Sequence, residues 1–401
     1  MKKNKKRDVL LLCQFFYPEN NSSATLPFDT ASALAAAGMS VSVLCGMPKE
    51  YTKQRDVPKR ETVNGVQIHR LRYVQISRGK KLGRLINFVS FTLRVICCLP
   101  MIGKHRVAMV YSNPPVLPLA AALANKRYGT KFVFVSYDIY PEIALRMGSI
   151  RQGDAIDRVM QTINRQVFQR ASAVVALSDQ MRQALLELRP ALNGDQVCTL
   201  PNWAHETAPE RSEPADGILR VGYFGNLGVV QDVETLLAAM ERLCGDAHIH
   251  FLIAGHGNSF ETARQRVGNQ PNVRIEGFLT GDELARALGS CDCCVVTLRE
   301  GVSSLCMPSK YYSYLQAGTA LVTVMDPHSD MAREVVAEEI GAAVSPGDVD
   351  GLYAALTDMA ENLPATREAG ARAAALYRER YGREQTLARY TALIGSLLED
   401  T

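Results

Sequence analysis

The sequence predicts an α/β protein of two domains, each with a parallel β-sheet and helices packed against it. Short apolar runs alternate with longer helix-like segments along both halves of the 401-residue chain. The alternation breaks at Pro201-Asn202-Trp203 and in the polar stretch 206–217, where we expect a linker. Strands that alternate with helices at this spacing form parallel sheets, and the length of the chain suits two domains.

The first domain is expected over residues 1–205. One helix is predicted over Thr25–Ala37, where Gly38 closes it, and a long helix near Leu82–Leu99. The strands are predicted from short apolar runs at Val9–Cys13, Ser40–Cys45, Gln67–Tyr73, Val107–Tyr111, Phe132–Val135 and Val174–Leu177.

The second domain is expected over residues 206–382. Its predicted strands are Leu219–Phe224, His250–Ala254, Val273–Glu276, Cys293–Leu298, Ala320–Val324 and Gly341–Val344, and its helices include Val233–Leu243, Phe260–Val267 and Gly281–Leu288. A final helix, Arg383–Leu398 within residues 383–401, has one apolar face, which we expect to pack back toward the first domain. Two such sheets facing an interdomain crevice would bind ligands at the carboxyl ends of their strands.

The segment after Leu298 carries the clearest sign of a ligand. Pro308-Ser309-Lys310 opens a helix that ends at Gly318. Ser309 is expected to cap this helix, whose free N–H groups and positive dipole end attract anions, and Lys310 adds a full positive charge. The pattern indicates a bound phosphate group. The alternative interpretation is an ordinary βα unit with a surface lysine.

The charge of the chain is divided unequally between its halves. Residues 1–205 contain 29 Lys and Arg against 13 Asp and Glu, residues 206–401 contain 16 against 28, and the stretch 62–137 has no acidic residue. The first half is therefore expected to face an anionic partner. Because it lacks a recognition-helix or RNP-like aromatic motif, a membrane surface or a phosphorylated acceptor fits better than nucleic acid.

The apolar helix near residues 82–102 is interrupted by Arg84 and Arg94, which argues against a membrane-spanning segment. A basic flank of Arg78, Lys80, Lys81 and Arg84 lies beside Phe88, Phe91, Leu93 and Ile96. This arrangement suits a helix at the membrane interface, and a buried helix of the first domain is the alternative. The ten cysteines lie mostly in apolar surroundings, which indicates reduced core residues in the cytoplasm.

Nine short motifs then follow one another in a recognisable order. They are Tyr17-Pro18-Glu19-Asn20, Cys45-Gly46-Met47-Pro48, Asn64-Gly65-Val66, Ile86–Phe91, Asp138-Ile139-Tyr140-Pro141-Glu142, Pro201-Asn202-Trp203, Gly225-Asn226-Leu227-Gly228 with Gln231-Asp232, Gly255-His256-Gly257, and Pro308-Ser309-Lys310 with Ser313-Tyr314-Leu315. In this order the chain resembles the retaining glycosyltransferases of family 4, which have the GT-B architecture of two Rossmann-like domains. Within them it is most similar to the bacterial surface-polysaccharide branch that includes N-acetyl-L-fucosamine transferases.

The resemblance implies a division of roles between the domains. The donor, expected to be a UDP-linked sugar, would be bound by Gly225, Asn226, Gln231, Gly255, His256, Leu279, Ser309, Lys310 and Ser313. The acceptor would be handled by Asp138 or Glu19 as the base, with Asn20 and Glu142 nearby. Plainer alternatives remain for some of these residues: a structural carboxylate for Asp138 and Glu142, a βα turn for the Gly225 loop and a loop position for His256. No metal or cofactor is expected, and Asp348-Val349-Asp350 is interpreted as a turn.

The chain departs from the wider family at two pairs of positions. Leu305 and Ser313 occupy the places where most relatives carry two glutamates eight residues apart. Most relatives also carry an Arg/Lys pair near the positions of Asn226 and Gln231. The surface-polysaccharide branch itself often has Gly-Asn, Gln-Asp and Ser at these places. We therefore interpret the change as a trait of the subfamily rather than as a loss of activity.

Together these features predict a cytoplasmic, peripheral membrane enzyme. It would move a sugar, with retention, from a nucleotide diphosphate to a lipid-linked saccharide on the inner face of the membrane. Two alternatives remain: a GT-B nucleotide-sugar 2-epimerase, which needs further acid/base carboxylates, and a non-catalytic sugar-nucleotide-binding partner of another transferase, suggested by the missing glutamates.

Overall fold

The computed structural model describes residues 6–49, 52, 56–76, 81–204 and 208–399, with only the backbone at Lys81 and Leu82. The chain divides into two compact units. Unit 1 comprises Met1–Pro201 and Glu384–Thr401, and unit 2 comprises Asn202–Arg383.

Unit 1 is built around a mostly parallel sheet. Its strands are β1 (Arg7–Leu12), β2 (Val41–Gly46), β3 (Arg60–Val63), β4 (Val66–Leu71), β5 (His105–Tyr111), β6 (Lys131–Val135), β7 (Ala173–Ala176) and β8 (Val197–Thr199). They lie in the order β3-β4-β2-β1-β5-β6-β7-β8, and only the β3–β4 pair is antiparallel. Val9 of β1 is in register with Val41 of β2 and Val107 of β5, and residues 9–12 are fully buried. Burial on both faces explains why the central strands read as continuous apolar runs.

The helices of unit 1 are α1 (Ser22–Ala36), α2 (Lys81–Ile96), α3 (Leu99–Ile102), α4 (Pro118–Tyr128), α5 (Glu142–Arg146), α6 (Ala155–Phe168) and α7 (Asp179–Leu188). The two predicted helices are present, with α1 beginning three residues earlier than expected. Strands β3 and β8 were not predicted, and Val174–Leu177, expected to be the last strand of this half, is followed by β8. Asn64 and Gly65, with φ of 49° and 76°, form the turn that joins β3 to β4, as is typical of a two-residue hairpin.

Unit 2 has a parallel sheet in the order β11-β10-β9-β12-β13-β14. The strands are β9 (Leu219–Asn226), β10 (Ile249–His256), β11 (Val273–Glu276), β12 (Cys293–Thr297), β13 (Ala320–Val324) and β14 (Gly341–Val344). The strand order reverses direction between β9 and β12. In doubly wound sheets, ligands bind outside the carboxyl ends of the strands at such a switch point.

The helices that cover this sheet are α8 (Val233–Arg242), α9 (Phe260–Val267), α10 (Asp282–Gly289), α11 (Lys310–Ala317), α12 (Asp330–Ala337), α13 (Val349–Glu361) and α14 (Leu363–Arg380). Strands and helices of unit 2 occur where the sequence predicted them, and α12–α14 are additional. Buried side chains from β9, β10 and β13 form one core with α8 and α13.

Two features at the unit boundaries bear on the predicted domain limits. The polar stretch predicted as a linker is held against unit 2 where it is described: Ser212 donates to the Gly289 carbonyl (2.9 Å), and Arg367 bonds both the Pro214 carbonyl (3.0 Å) and Asp292 (2.9 Å). The final helix, α15 (Arg383–Glu399), buries Tyr390 and Ile394 and groups with unit 1.

The side chains that helix α2 exposes differ from those that the sequence suggested. Phe91 is fully buried and packs edge-on against Tyr73 at 5.2 Å between ring centroids, and Phe88 and Ile96 are half-buried. These three side chains therefore do not form the outward face that the sequence suggested. Arg78 and Lys80 lie outside the described residues, as does the side chain of Lys81. Within the described ranges, no helix is long and apolar enough to cross a membrane.

Candidate functional site

Near their carboxyl ends, β9 and β10 pair through two glycines. Gly225 is paired with Gly255, and Asn226 with His256. A Cβ atom on Gly255 would lie 1.8 Å from the Gly225 carbonyl oxygen, and one on Gly257 (φ 128°) would lie 2.6 Å from Asn226. These glycines therefore allow the two loops to approach each other closely, leaving main-chain groups at the switch point.

The loop after β9 is braced from within. The Gln231 side-chain oxygen accepts a hydrogen bond from the Gly228 N–H at 2.9 Å. Asp232 caps helix α8 by accepting from the Thr235 N–H, and it also accepts from the Gly347 N–H at 3.0 Å. Gln231 thus shapes the loop, and its predicted contact with a donor stays a prediction.

Lys310 lies at the start of α11, beside this loop. Its Nζ atom is 3.5 Å from the centroid of the Tyr223 ring. That atom is buried and has no hydrogen-bond partner among the described residues. Burial lowers the pKa of Lys310 to about 7. An unpaired cation on an aromatic ring is a site prepared for an anion, because an incoming phosphate would supply the missing partner.

The start of α11 differs from the sequence prediction in one respect. Ser309 already has helical backbone angles (φ −62°, ψ −25°), and its side chain makes no capping hydrogen bond. The expectation that Ser309 caps the helix was therefore wrong. Ser313 lies one turn beyond Lys310 and is half-buried, while Leu305 is buried.

Two tyrosines that the sequence analysis did not select hold this arrangement. The Tyr314 hydroxyl accepts from the Phe224 N–H (2.7 Å) and donates to the Phe224 carbonyl (3.2 Å), tying α11 to β9. The Tyr223 hydroxyl donates to the Asn226 carbonyl at 3.2 Å. In the sequence both tyrosines resemble ordinary core aromatics, so only the position of Tyr223 near the end of a strand could have drawn attention to it.

His256 belongs to the same neighbourhood. Burial and then the charge of Lys310 lower its pKa, so the imidazole is neutral at pH 7. Its ring packs edge-on against Phe278 at 5.0 Å between centroids. Leu279 follows Phe278 and is half-buried. Unit 2 therefore brings the predicted donor residues Gly225, Asn226, Gly255, His256 and Lys310 to one edge of its sheet.

The candidate residues of unit 1 are spread over several strand ends. Asp138 follows β6, and its backbone N–H lies 3.4 Å from the Ser112 hydroxyl oxygen. Burial raises the pKa of Asp138 to about 6. Such a carboxyl group takes up and releases a proton near neutral pH, as a general base must. Asp138 lines a small cleft together with Asn164, Phe168 and Arg189.

Glu142 has a partner that favours the structural alternative. Both of its carboxylate oxygens bond Arg189, at 2.5 and 2.8 Å, and both side chains are largely buried. Arg189 also donates to the Tyr140 carbonyl at 2.9 Å. The pair fixes the backbone that carries Asp138, which is a positioning role.

Glu19 and Asn20 lie beyond the end of β1. Glu19 is buried, and its Oε1 atom is 3.4 Å from the Lys49 N–H, whereas Asn20 is exposed. Strand β5 separates β1 from β6 in the sheet, so Glu19 and Asp138 occupy different parts of the edge. Gln14, which the sequence analysis missed, is buried there with no partner for either side-chain amide atom among the described residues.

Asp348 and Asp350 have structural roles. Asp348 caps α13 by accepting from the Gly351 N–H at 2.8 Å, and Asp350 pairs with Arg242. The motif is thus the beginning of a helix rather than an isolated turn. Among the described residues there is no group of three His, Cys, Asp or Glu side chains that could hold a metal ion.

Two family models match the chain, one in each half. Residues 28–203 match the glycosyl transferase 4-like domain, and residues 218–362 match glycosyl transferases group 1.

Among curated proteins, the chain is 24% identical over 267 residues to the probable glycosyltransferase WbjE of Pseudomonas aeruginosa, covering 64% of this chain and 66% of WbjE. It is 27% identical over 180 residues to the alpha-maltose-1-phosphate synthase of Mycolicibacterium smegmatis, covering 42% of this chain and 46% of that protein. The aligned regions thus span just under two thirds and about half of these relatives.

Among solved structures, the sucrose-phosphate synthase of Thermosynechococcus elongatus superposes with a TM-score of 0.78 at 16% identity, covering 98% of this chain and all of the other. HepE of Anabaena, solved in complex with UDP-glucose, superposes with a TM-score of 0.70 at 15% identity, covering 97% of this chain and all of HepE. At these identities the likeness shows the fold, which is GT-B, as the sequence predicted.

Proposed function

We propose that this chain, which belongs to the glycosyltransferases by the families of both its halves, transfers a sugar from a nucleotide diphosphate donor to a lipid-linked saccharide. The transfer proceeds with retention of anomeric configuration. The setting is the synthesis of a bacterial surface polysaccharide at the cytoplasmic face of the membrane, to which the protein binds peripherally. The resemblance to the surface-polysaccharide branch supports the setting and the retention.

The observation that carries the proposal is the unpaired, buried Nζ atom of Lys310 beside the Gly225-Asn226 loop. Transfer from a nucleotide sugar leaves a diphosphate, so negative charge develops at the leaving oxygen. Preorganised cations and N–H groups aimed at developing charge are usually the largest contribution to catalysis. We propose a UDP-linked donor, because HepE, which has the same fold, was solved with UDP-glucose.

The acceptor side of the proposal rests on Asp138, with Glu19 as the second candidate. The raised pKa of Asp138 suits a group that accepts the proton of the acceptor hydroxyl. The excess of positive charge in residues 1–205 suits an acceptor joined to a polyprenyl diphosphate. With Leu305 and Ser313 in place of the two glutamates, the sugar contacts must come from groups other than carboxylates at these two positions.

The test is a transfer assay with a panel of radiolabelled UDP-sugars and a bacterial lipid extract. The proposal predicts label in the lipid fraction for one sugar. Interconversion of two sugar nucleotides without transfer would indicate an epimerase, and binding without either reaction would indicate a non-catalytic partner.

The matched variants are Lys310→Ala and Lys126→Ala. Lys310 is the only lysine beyond residue 131, and Lys126 is exposed on α4. Lys310→Ala should abolish most of the transfer activity. It should weaken the binding of UDP more than the binding of uridine, since only UDP carries the diphosphate. Lys126→Ala should leave both affinities unchanged. Equal affinity of the parent and Lys310→Ala for UDP would remove Lys310 from the site.

A further inference from the structure

Helix α2 shows an apolar stripe on its outer side. Leu85, Ile86, Val89 and Leu93 are between 37% and 55% exposed. At 3.6 residues per turn, these four side chains fall within an arc of roughly 100°. The opposite side of the helix already supplies the core with Phe91 and Val95, so the outer stripe is not needed for folding.

The stripe continues onto the segment that precedes the helix. Val74 and Ile76 are 47% and 40% exposed. Both are fixed to α2 through their backbones, since the Val74 N–H donates to Ser90 (3.2 Å) and the Ile76 N–H and carbonyl both bond the Asn87 side chain (2.8 Å each). These six apolar side chains, Val74, Ile76, Leu85, Ile86, Val89 and Leu93, form one patch, here called the α2 surface. Contiguous exposed apolar patches of this kind mark interaction sites.

The charged residues close to the α2 surface along the chain are positive. Among the described side chains of residues 72–96 they are Arg72, Arg84 and Arg94, and all three are exposed. Helix α2 packs on β4 and α4, and both elements come from the stretch 62–137, which contains no acidic residue. An apolar stripe within a basic surround complements a layer of anionic headgroups above hydrocarbon.

We propose that the α2 surface binds an anionic phospholipid bilayer, with α2 lying in the plane of the interface. The inference rests on the proposed function only for its purpose, which is to hold the enzyme beside a lipid-linked acceptor; the binding itself needs no donor. A helix of 16 residues runs about 24 Å along the membrane. Its apolar side chains reach the boundary between headgroups and acyl chains, and the arginines stay among the phosphates.

The experiment is co-sedimentation of the full chain with sucrose-loaded vesicles of phosphatidylcholine alone or of phosphatidylcholine mixed with the anionic lipid phosphatidylglycerol. One variant combines Val89→Gln with Leu93→Gln, and a second combines Arg84→Ser with Arg94→Ser. Val336→Gln on α12 is the matched control, because Val336 is also an exposed apolar side chain, at 57%. Thermal unfolding of each variant confirms that it is folded.

The parent should bind the anionic vesicles, and raised salt should weaken this binding. The Val89/Leu93 variant should bind about tenfold more weakly, since half-exposed aliphatic side chains lose their insertion. The Arg84/Arg94 variant should also bind about tenfold more weakly and show a smaller salt dependence, because Arg72 and the other basic residues of the stretch 62–137 remain. Val336→Gln should behave like the parent.

Equal sedimentation of the parent and a folded Val89/Leu93 variant would overturn the proposal. So would a change of oligomeric state in lipid-free buffer for that variant alone, because the stripe would then be covered by a second copy. UDP binding measured in the same samples separates this inference from the proposed function: it should be unchanged in all of the α2 variants. A parent that binds vesicles but not UDP would refute the proposed function and leave the membrane surface in place.

Discussion

The buried position of Lys310 makes donor binding depend on pH in a way that can be calculated. In the ligand-free protein the pKa of Lys310 is about 7, against 10.5 in water. A bound diphosphate favours the charged form, so it raises the pKa of Lys310 again. UDP must therefore bind with uptake of a proton wherever the free lysine is neutral.

The size of the effect follows from linkage. Above pH 7 the affinity for UDP should fall about tenfold per pH unit, which is about 1.4 kcal/mol for each unit. At pH 8 about 0.9 proton should be taken up per UDP bound. The pKa of His256 in the free protein lies below the ordinary 6.5, and any proton that His256 takes up on binding would also be taken up by Lys310→Gln, so this variant separates the two groups. The phosphate groups of UDP do not contribute, since their last pKa is near 6 and a bound cation lowers it further.

Isothermal titration calorimetry at pH 8, in two buffers that differ in ionisation enthalpy, measures the proton uptake directly. Lys310→Gln should bind weakly and lose the uptake that is due to Lys310, and Lys310→Arg should also lose it, because arginine keeps its charge. If the parent binds UDP at pH 8 without taking up a proton, or with an affinity that is constant between pH 7 and 9, Lys310 does not pair with the diphosphate.

Three further predictions concern stability and catalysis. Because the pKa of Lys310 is lower in the folded than in the unfolded chain, the unfolded chain binds more protons between pH 7 and 10.5, and the free energy of unfolding rises with pH over this range. Urea unfolding should show that Lys310→Met raises the free energy of unfolding by ~2–4 kcal/mol at pH 6 and by little at pH 10. Asp138→Asn should slow transfer by roughly two to four orders of magnitude and remove a rise in rate near pH 6, whereas a fall below tenfold would leave Asp138 a structural carboxylate. Gly255→Ala should lower the unfolding free energy by at least ~2 kcal/mol through its clash with Gly225, while Gly395→Ala, with open space around it, should not.

The sequence was sufficient for most of the fold because the central strands are buried on both faces. Strands such as β1 and β12 consist almost wholly of apolar residues, and the helices between them have clear ends. Strand β3 escaped prediction because its sequence, Arg60–Val63, is polar and lies at the exposed edge of the sheet. The stretch 206–217 was predicted to be a linker because it is polar and contains two prolines, whereas its described part, 208–217, is held to the rest of unit 2 by hydrogen bonds of its backbone.

The sequence was sufficient to single out Lys310 and the Gly225 loop, but not the contacts that surround them. Lys310 stood out as a charge at a helix start, yet its burial on the Tyr223 ring depends on packing between α11 and β9. Helix α2 was predicted from the sequence, but the side of the helix that faces the core was not. Its apolar residues occupy more than one side, so periodicity could not tell that Phe91 faces the core and Leu93 the exterior.

The most direct test of the central claim is an experimental structure of the protein with UDP. We expect the β-phosphate within hydrogen-bond distance of Lys310 Nζ and of the main chain at Gly225 and Asn226. The uracil should lie near the backbone of residues 277–279. A diphosphate bound elsewhere, with Lys310 still unpaired on the Tyr223 ring, would contradict the proposed donor site.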